Sequence, residues 1–149
     1  MRLLSFLVAS IGPVPQGDCP VSSTKCRVLC VDDHRDTSEM LELLLSKEDY
    51  AVETAATMEE ACRLAGQKQF DLYVLDRRLP DANGVDLCTT LNLITPGVPC
   101  IFYTGDAYEI HRREAMAAGA AAYVAKPDID ALINAVQQLL ANSECATSK

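Results

Sequence analysis

Asp32 and Asp33 close the apolar run 28–31. Asp76 closes the run 72–75, Thr104 follows the run 99–103, and Lys126, itself followed by Pro127, ends the run 121–125. Carboxylates gathered in one crevice repel one another and lose hydration. A hard divalent cation resolves that conflict, and Mg²⁺ favours one or two carboxylates together with water and phosphate oxygens. A carboxylate is also a nucleophile that can form an aspartyl phosphate. A threonine hydroxyl can hydrogen-bond a phosphoryl oxygen, and a lysine can neutralise another as a point charge. Positioning and charge neutralisation are the main tasks of phosphoryl transfer. Each residue alone has a plainer reading. Asp76 can end a strand, Asp32 and Asp33 can cap the entry to a helix, and Thr104 can be structural.

These residues act together only if the elements that carry them share an edge. Short apolar runs at 27–31, 51–54, 72–75, 99–103 and 121–125 read as strands. The first, third and fourth are nearly all apolar, which suits parallel strands covered on both faces. Helical patterns fill the gaps. The first spans 37–47 with Met40, Leu41 and Leu44 on one stripe. The second carries Met58, Ala61, Cys62 and Ala65, with Thr57 as N-cap and Glu60 as its capping-box partner. The third, 85–94, follows Gly84. The fourth, 107–118, ends at Gly119 as a C′ residue. In the fifth, Ile129, Leu132, Ile133, Val136, Leu139 and Leu140 keep i, i+3, i+4, i+7 spacing. Alternating strands and helices predict a doubly wound α/β fold with a five-stranded parallel sheet. Ligands bind such sheets beyond the carboxyl ends of the strands, where all five chemical residues would stand.

Together these pieces resemble the receiver domain of bacterial response regulators. The resemblance rests on Val28-Leu29-Cys30-Val31-Asp32-Asp33, Asp76-Arg77-Arg78-Leu79-Pro80 with Gly84, Phe102-Tyr103-Thr104-Gly105, Ala118-Gly119-Ala120 and Tyr123-Val124-Ala125-Lys126-Pro127. It covers about residues 25–141. It implies the flavodoxin-like strand order 2-1-3-4-5. It implies phosphorylation on Asp76, with Thr104 and Lys126 assisting. It implies Mg²⁺ held by Asp32, Asp33, Asp76 and the backbone carbonyl of Arg78, with Asp33 as the more direct acidic-pair ligand. Thr104 and Tyr123 match the switch residues, although Tyr123 also reads as a half-buried strand aromatic. The Lys126–Pro127 bond is cis in this family.

The implied function is a single-domain response regulator of two-component signalling. A sensor histidine kinase or a histidine phosphotransfer protein supplies the phosphoryl group, and a downstream protein reads the result by contact. Such a protein is not a classical enzyme, although it accepts phosphoryl and releases it by autodephosphorylation. A phosphorylation-dependent dimer is compatible with this scheme. A phosphorelay intermediate or phosphate sink is the alternative. A small Mg²⁺-dependent phosphohydrolase is the alternative of another class. That chemistry usually wants a second carboxylate close after the nucleophile, where Arg78 stands instead. Arg78 is expected to reach Asp106 or an acidic-pair carboxylate and so alter water access to the acyl phosphate; a solvated arginine is the plainer reading. Asp49 stands where a helix-ending glycine is frequent. His34 reads as a solvated loop residue, and His111 lies on a helix with no partner pattern.

Composition sets the bounds. The chain has 149 residues, 49% hydrophobic and 23% charged, enough for one packed domain. A formal net charge of −8 argues against direct nucleic-acid binding. No apolar run reaches the length of a membrane span. The 7 cysteines lack zinc spacing and are odd in number, so they read as small apolar residues of a reducing, cytoplasmic compartment. Residues 1–24 begin with a signal-like Met1-Arg2 and an apolar stretch, then turn rich in Pro and Gly. A disordered extension or a misassigned start is preferred there over a secretory signal. Residues 142–149 read as a flexible tail.

Overall fold

The computed structural model describes residues 25–141; the expectations for 1–24 and 142–149 fall outside them. The strands are β1 (Arg27–Val31), β2 (Ala51–Ala55), β3 (Leu72–Leu75), β4 (Cys100–Thr104) and β5 (Ala122–Ala125). The helices are α1 (Arg35–Lys47), α2 (Met58–Gln67), α3 (Gly84–Ile94), α4 (Glu109–Ala117) and α5 (Ile129–Ala141). They alternate along the chain, and all strand pairs are parallel in the order β2-β1-β3-β4-β5. This is the doubly wound, flavodoxin-like arrangement that the pattern predicts.

The sheet is buried on both faces because its strands are apolar at successive positions. Leu29, Val31, Tyr73, Leu75 and Phe102 face a core closed by residues of α2, α3 and α4, among them Ala61, Leu87, Leu91 and Ala115. Their neighbours Val28, Cys30, Leu72, Val74, Ile101 and Tyr103 face the opposite core, with Leu41 and Leu45 of α1 and Leu132, Val136 and Leu140 of α5. The stripe on α1 differs from expectation. Ser38, Leu41 and Leu45 are buried, while Met40 faces outward. Two apolar residues in a row leave a helix's rotation open, and packing against the sheet chose the phase.

Cys30, Cys88 and Cys100 are buried free thiols, and Cys62 is half-buried. Burial pushes the Cys30 thiol up to about 12, with the Asp32 charge adding to it, so it stays protonated and inert. Cys26 departs from this reading, because it is disulfide-bonded. Among the described residues, no helix is long and apolar enough to cross a membrane.

The helix ends follow local chemistry. Thr57 caps α2 by accepting from the Glu60 N–H at 3.1 Å. The return bond from Glu60 goes to the N–H of Ala56 rather than Thr57. Asp81, in the loop after β3, adds a cap that local sequence does not announce: its carboxylate accepts from the N–H groups of Met58 (2.9 Å) and Glu59 (3.1 Å). The Met58 N–H is the main reason the Asp81 carboxyl sits below the ordinary carboxylate range. A carboxylate depressed in the folded state stabilises above its unfolded pKa, and that stability is lost as pH falls through its folded pKa. Asp81→Ala should therefore melt earlier than the parent at neutral pH. The gap should close under acid, as a pH series of thermal melts will show.

Helix α1 ends on Asp49, whose φ of 71° lies in the left-handed region. The N–H of Asp49 bonds the Ser46 carbonyl, and that of Tyr50 bonds the Leu45 carbonyl. An aspartate thus does what glycine usually does there. Its only described ion pair, with Lys25, is exposed at 3.5 Å, and such pairs contribute little. Asp49→Gly should stabilise the fold by about 0.5 kcal/mol, read from denaturant midpoints at constant slope.

Candidate functional site

The parallel sheet brings the carboxyl ends of β1, β3, β4 and β5 to one edge. Hydrogen bonds continue past the strand ends and root the site in rigid backbone. The Asp32 N–H bonds the Ala55 carbonyl (3.0 Å), the Asp76 N–H bonds Val31 (2.9 Å), and the Lys126 N–H bonds Thr104 (2.8 Å). The side chains of Asp32, Asp76 and Thr104 are buried although polar. Lys126 Nζ lies 2.8 Å from Asp32 Oδ2 and 3.5 Å from Asp76 Oδ2. Burial alone would lower the lysine's pKa. The bond to Asp32 and the charge of Asp76 outweigh it, and the net shift is upward.

The remaining carboxylate valences are partly filled. Asp76 Oδ1 accepts from the Arg77 N–H at 2.7 Å, which fixes the rotation of the carboxylate. Asp32 Oδ1 accepts from the His34 N–H at 2.8 Å. Asp33 is more exposed than its neighbour. Asp32, Asp33, His34 and Asp76 each offer a ligand atom, all within 4.8 Å of one another. Three carboxylates thus face a single ammonium, a donor set that a divalent cation would balance. A cavity of about 530 Å³ opens over them, lined in part by Asp76, Arg78, Thr104, Asp106, Tyr108 and Lys126.

The family model of the response regulator receiver domain matches residues 28–137. This chain is a response regulator receiver domain. It is 33% identical over 101 residues to the cell cycle transcriptional regulator CtrA of Caulobacter vibrioides, covering 68% of this chain and 44% of that protein. It is 30% identical over 130 residues to the transcriptional regulatory protein GlrR of Escherichia coli, covering 87% of this chain and 29% of that protein. It therefore spans less than half the length of these curated relatives. Among solved structures, the non-phosphorylated HemR receiver domain of Leptospira biflexa superposes with a TM-score of 0.74 at 33% identity, over 80% of this chain and 98% of that one. Chemotaxis protein CheY4 of Vibrio cholerae gives 0.74 at 27% identity, over 78% and 100%. Receiver domains interact with histidine kinases or phosphotransfer proteins in two-component signalling.

In this receiver the residues singled out by spacing converge: Asp32, Asp33, Asp76, Thr104 and Lys126 share one edge. The Lys126–Pro127 bond is cis. Tyr123 is half-buried and stacks on Phe102, with ring centroids 6.0 Å apart. Its hydroxyl donates to the backbone carbonyl of Asp106. His34 is a solvated loop residue as expected, yet its Nδ1 lies 3.2 Å from Asp32 and 3.3 Å from Asp33. It is also the N-cap of α1, without a side-chain cap bond.

Arg78 does not reach Asp106. It is exposed on the cavity rim, and its neighbour Arg77 turns inward instead. Arg77 Nη1 lies 3.7 Å from Asp106 Oδ2, and Nη2 lies 3.0 Å from Glu114 Oε1. His111, read as partnerless, places Nδ1 2.5 Å from Asp106 Oδ2. The two atoms are close but lack the alignment of a hydrogen bond. The close His111 contact comes first in holding the Asp106 carboxyl below the usual range, against a smaller burial effect. Helix α4 begins at Glu109, two residues later than predicted, because Asp106 Oδ1 accepts from the Tyr108 N–H and makes a turn there.

Proposed function

We propose that this receiver is phosphorylated on Asp76 by a histidine kinase or histidine phosphotransfer protein, and that it signals by protein contact. The observation that supports this best is the placement of Lys126 between Asp32 and Asp76, at 2.8 and 3.5 Å. An Asp76 oxygen attacks the phosphorus of a phosphohistidine. The new O–P bond forms as the P–N bond breaks, and the imidazole leaves with the electron pair. Lys126 neutralises one phosphoryl oxygen. The Thr104 hydroxyl donates to another; it accepts from the Asp106 N–H at 3.4 Å, and its own proton remains to be given. Mg²⁺ would be held by Asp33, Asp76 and the Arg78 carbonyl, with Asp32 close by, and would supply charge neutralisation to the transferring group. The modification then biases an equilibrium between two states of the Thr104–Tyr123 region. A cytoplasmic location accords with a phosphohistidine donor.

The test is chemical. Incubation with a small phosphodonor and Mg²⁺ should add one base-labile phosphoryl mass, mapped to Asp76 by peptide analysis. Asp76→Asn should show none. An adduct that persists in Asp76→Asn would overturn the assignment. Rapid return of the group to a histidine protein, without state-dependent capture of a target, would favour a phosphorelay intermediate over contact signalling.

A further inference from the structure

The backbone of Asp106 meets the hydroxyls of both Thr104 and Tyr123. Its N–H faces the Thr104 hydroxyl at 3.4 Å, and its carbonyl accepts from the Tyr123 hydroxyl. The N–H and the carbonyl belong to the two peptide groups that flank the Asp106 Cα, so a displacement of Asp106 moves both contacts. The side chain of Asp106 anchors the residue, because it is nearly buried and held on several sides. Tyr108 N–H approaches Oδ1 at 3.2 Å, while His111 and Arg77 approach Oδ2.

Arg77 links this hub to the nucleophile. It directly follows Asp76, and its N–H holds Asp76 Oδ1 at 2.7 Å. Its side chain is only 12% exposed and runs from the end of β3 to the loop before α4 and to Glu114 on α4. Nothing about phosphoryl chemistry requires an arginine there to point inward, since the adjacent Arg78 is exposed.

The cluster is incompletely satisfied. Among the described residues, Arg77 Nε, Asp106 Oδ2 and His111 Nδ1 are buried without an aligned hydrogen-bond partner. Buried polar atoms nearly always find partners, and a half-satisfied network is costly.

We propose that Arg77 is a positioning residue. By gripping Asp106 and Glu114 it holds the Asp106 carbonyl under the Tyr123 hydroxyl, and it ties the inward state of Tyr123 to the residue beside Asp76. The proposal rests on the reading above in one respect, that Thr104 and Tyr123 report the state of Asp76. Coupling between two such positions is typically several-fold to a hundredfold in an equilibrium constant.

The test uses the unphosphorylated full chain labelled with 3-fluorotyrosine, with Tyr123 assigned by Tyr123→Phe and followed by ¹⁹F NMR. Arg77→Gln should reduce the inward-to-outward ratio of Tyr123 roughly tenfold, seen as a shifted or split resonance. Arg77→Lys should restore much of the parent position. Glu114→Gln removes one exposed anchor and should give an intermediate shift, which serves if Arg77→Gln fails to fold. A Tyr123 resonance unmoved in the folded Arg77 or Glu114 variants, even with a lower melting temperature, would overturn the proposal. The readout needs no phosphoryl group. Absence of an Asp76 adduct would therefore count against the phosphotransfer reading alone, and an unmoved Tyr123 against Arg77 alone.

Discussion

Lys126→Met should slow the proposed phosphorylation of Asp76 by a small phosphodonor by about a hundredfold or more, and it should lower stability in the absence of Mg²⁺. The kinetic effect follows from position. A preorganised charge aimed at developing negative charge typically supplies about 10²–10³ in rate, and Lys126 Nζ already lies 3.5 Å from Asp76 Oδ2. The stability effect follows from what remains. Without the ammonium, the buried Asp32 and Asp76 carboxylates lose their partner. Removing one member of a buried pair costs about 3 kcal/mol. Added Mg²⁺ should recover more stability in Lys126→Met than in the parent, since it replaces the missing charge.

The pH dependence of the parent gives an independent check. The folded pKa of Lys126 is raised. A raised pKa contributes stability that is fully present below the unfolded value of about 10.4 and is lost as pH rises through the folded value. The parent should therefore weaken in strong alkali by a component that Lys126→Met lacks. Single-turnover phosphorylation and denaturant titrations with and without Mg²⁺ measure both effects. Phosphorylation at the parental rate would remove the lysine from the chemistry.

Gly84→Ala should be nearly as damaging, and for a steric reason. A Cβ at Gly84 would lie 2.2 Å from the Asp76 carbonyl oxygen and 2.9 Å from Arg77 Cα, both of them backbone atoms. The Gly84 N–H also bonds the Arg77 carbonyl at 2.6 Å. Neither neighbour can swing away like a side chain, so helix α3 or the end of β3 must shift. Overpacking of this kind costs about 3 kcal/mol, or a melting temperature lower by about 10 °C for a domain of this size. The displaced peptide is the one that carries Asp76, the proposed phosphoryl acceptor. Gly84→Ala should therefore also lose most of its Asp76 phosphorylation in a preparation shown to be folded. A variant with parental melting temperature and adduct yield would mean that the close approach is not maintained in solution.

Much of this site was legible before any coordinates, for a reason peculiar to parallel sheets. Each strand of apolar residues ends where a polar residue begins, and parallel strands with right-handed crossovers must end on the same side. Asp32, Asp76, Thr104 and Lys126 are therefore neighbours by topology, although Lys126 Nζ and Asp32 are 94 residues apart in the chain. The left-handed turn at Gly119, with φ 107°, was readable from glycine's position after a helix.

The rest depends on contacts with no local signature. Strand alternation indicates facing only within a strand. Past Leu75 it lapses, so sequence could not say which of Arg77 and Arg78 turns inward. The pairing of Arg77 with Glu114 spans 37 residues, and the Asp81 cap on α2 spans 22 and 23. Neither follows a helical or strand period. What the chain's pattern determined alone was the order of layers and the edge at which charge collects, because burial and handedness leave few other arrangements. Tertiary packing alone decided which arginine grips Asp106, how far α1 rotates and where α4 begins, because those choices turn on loop geometry and on charges that meet only after folding.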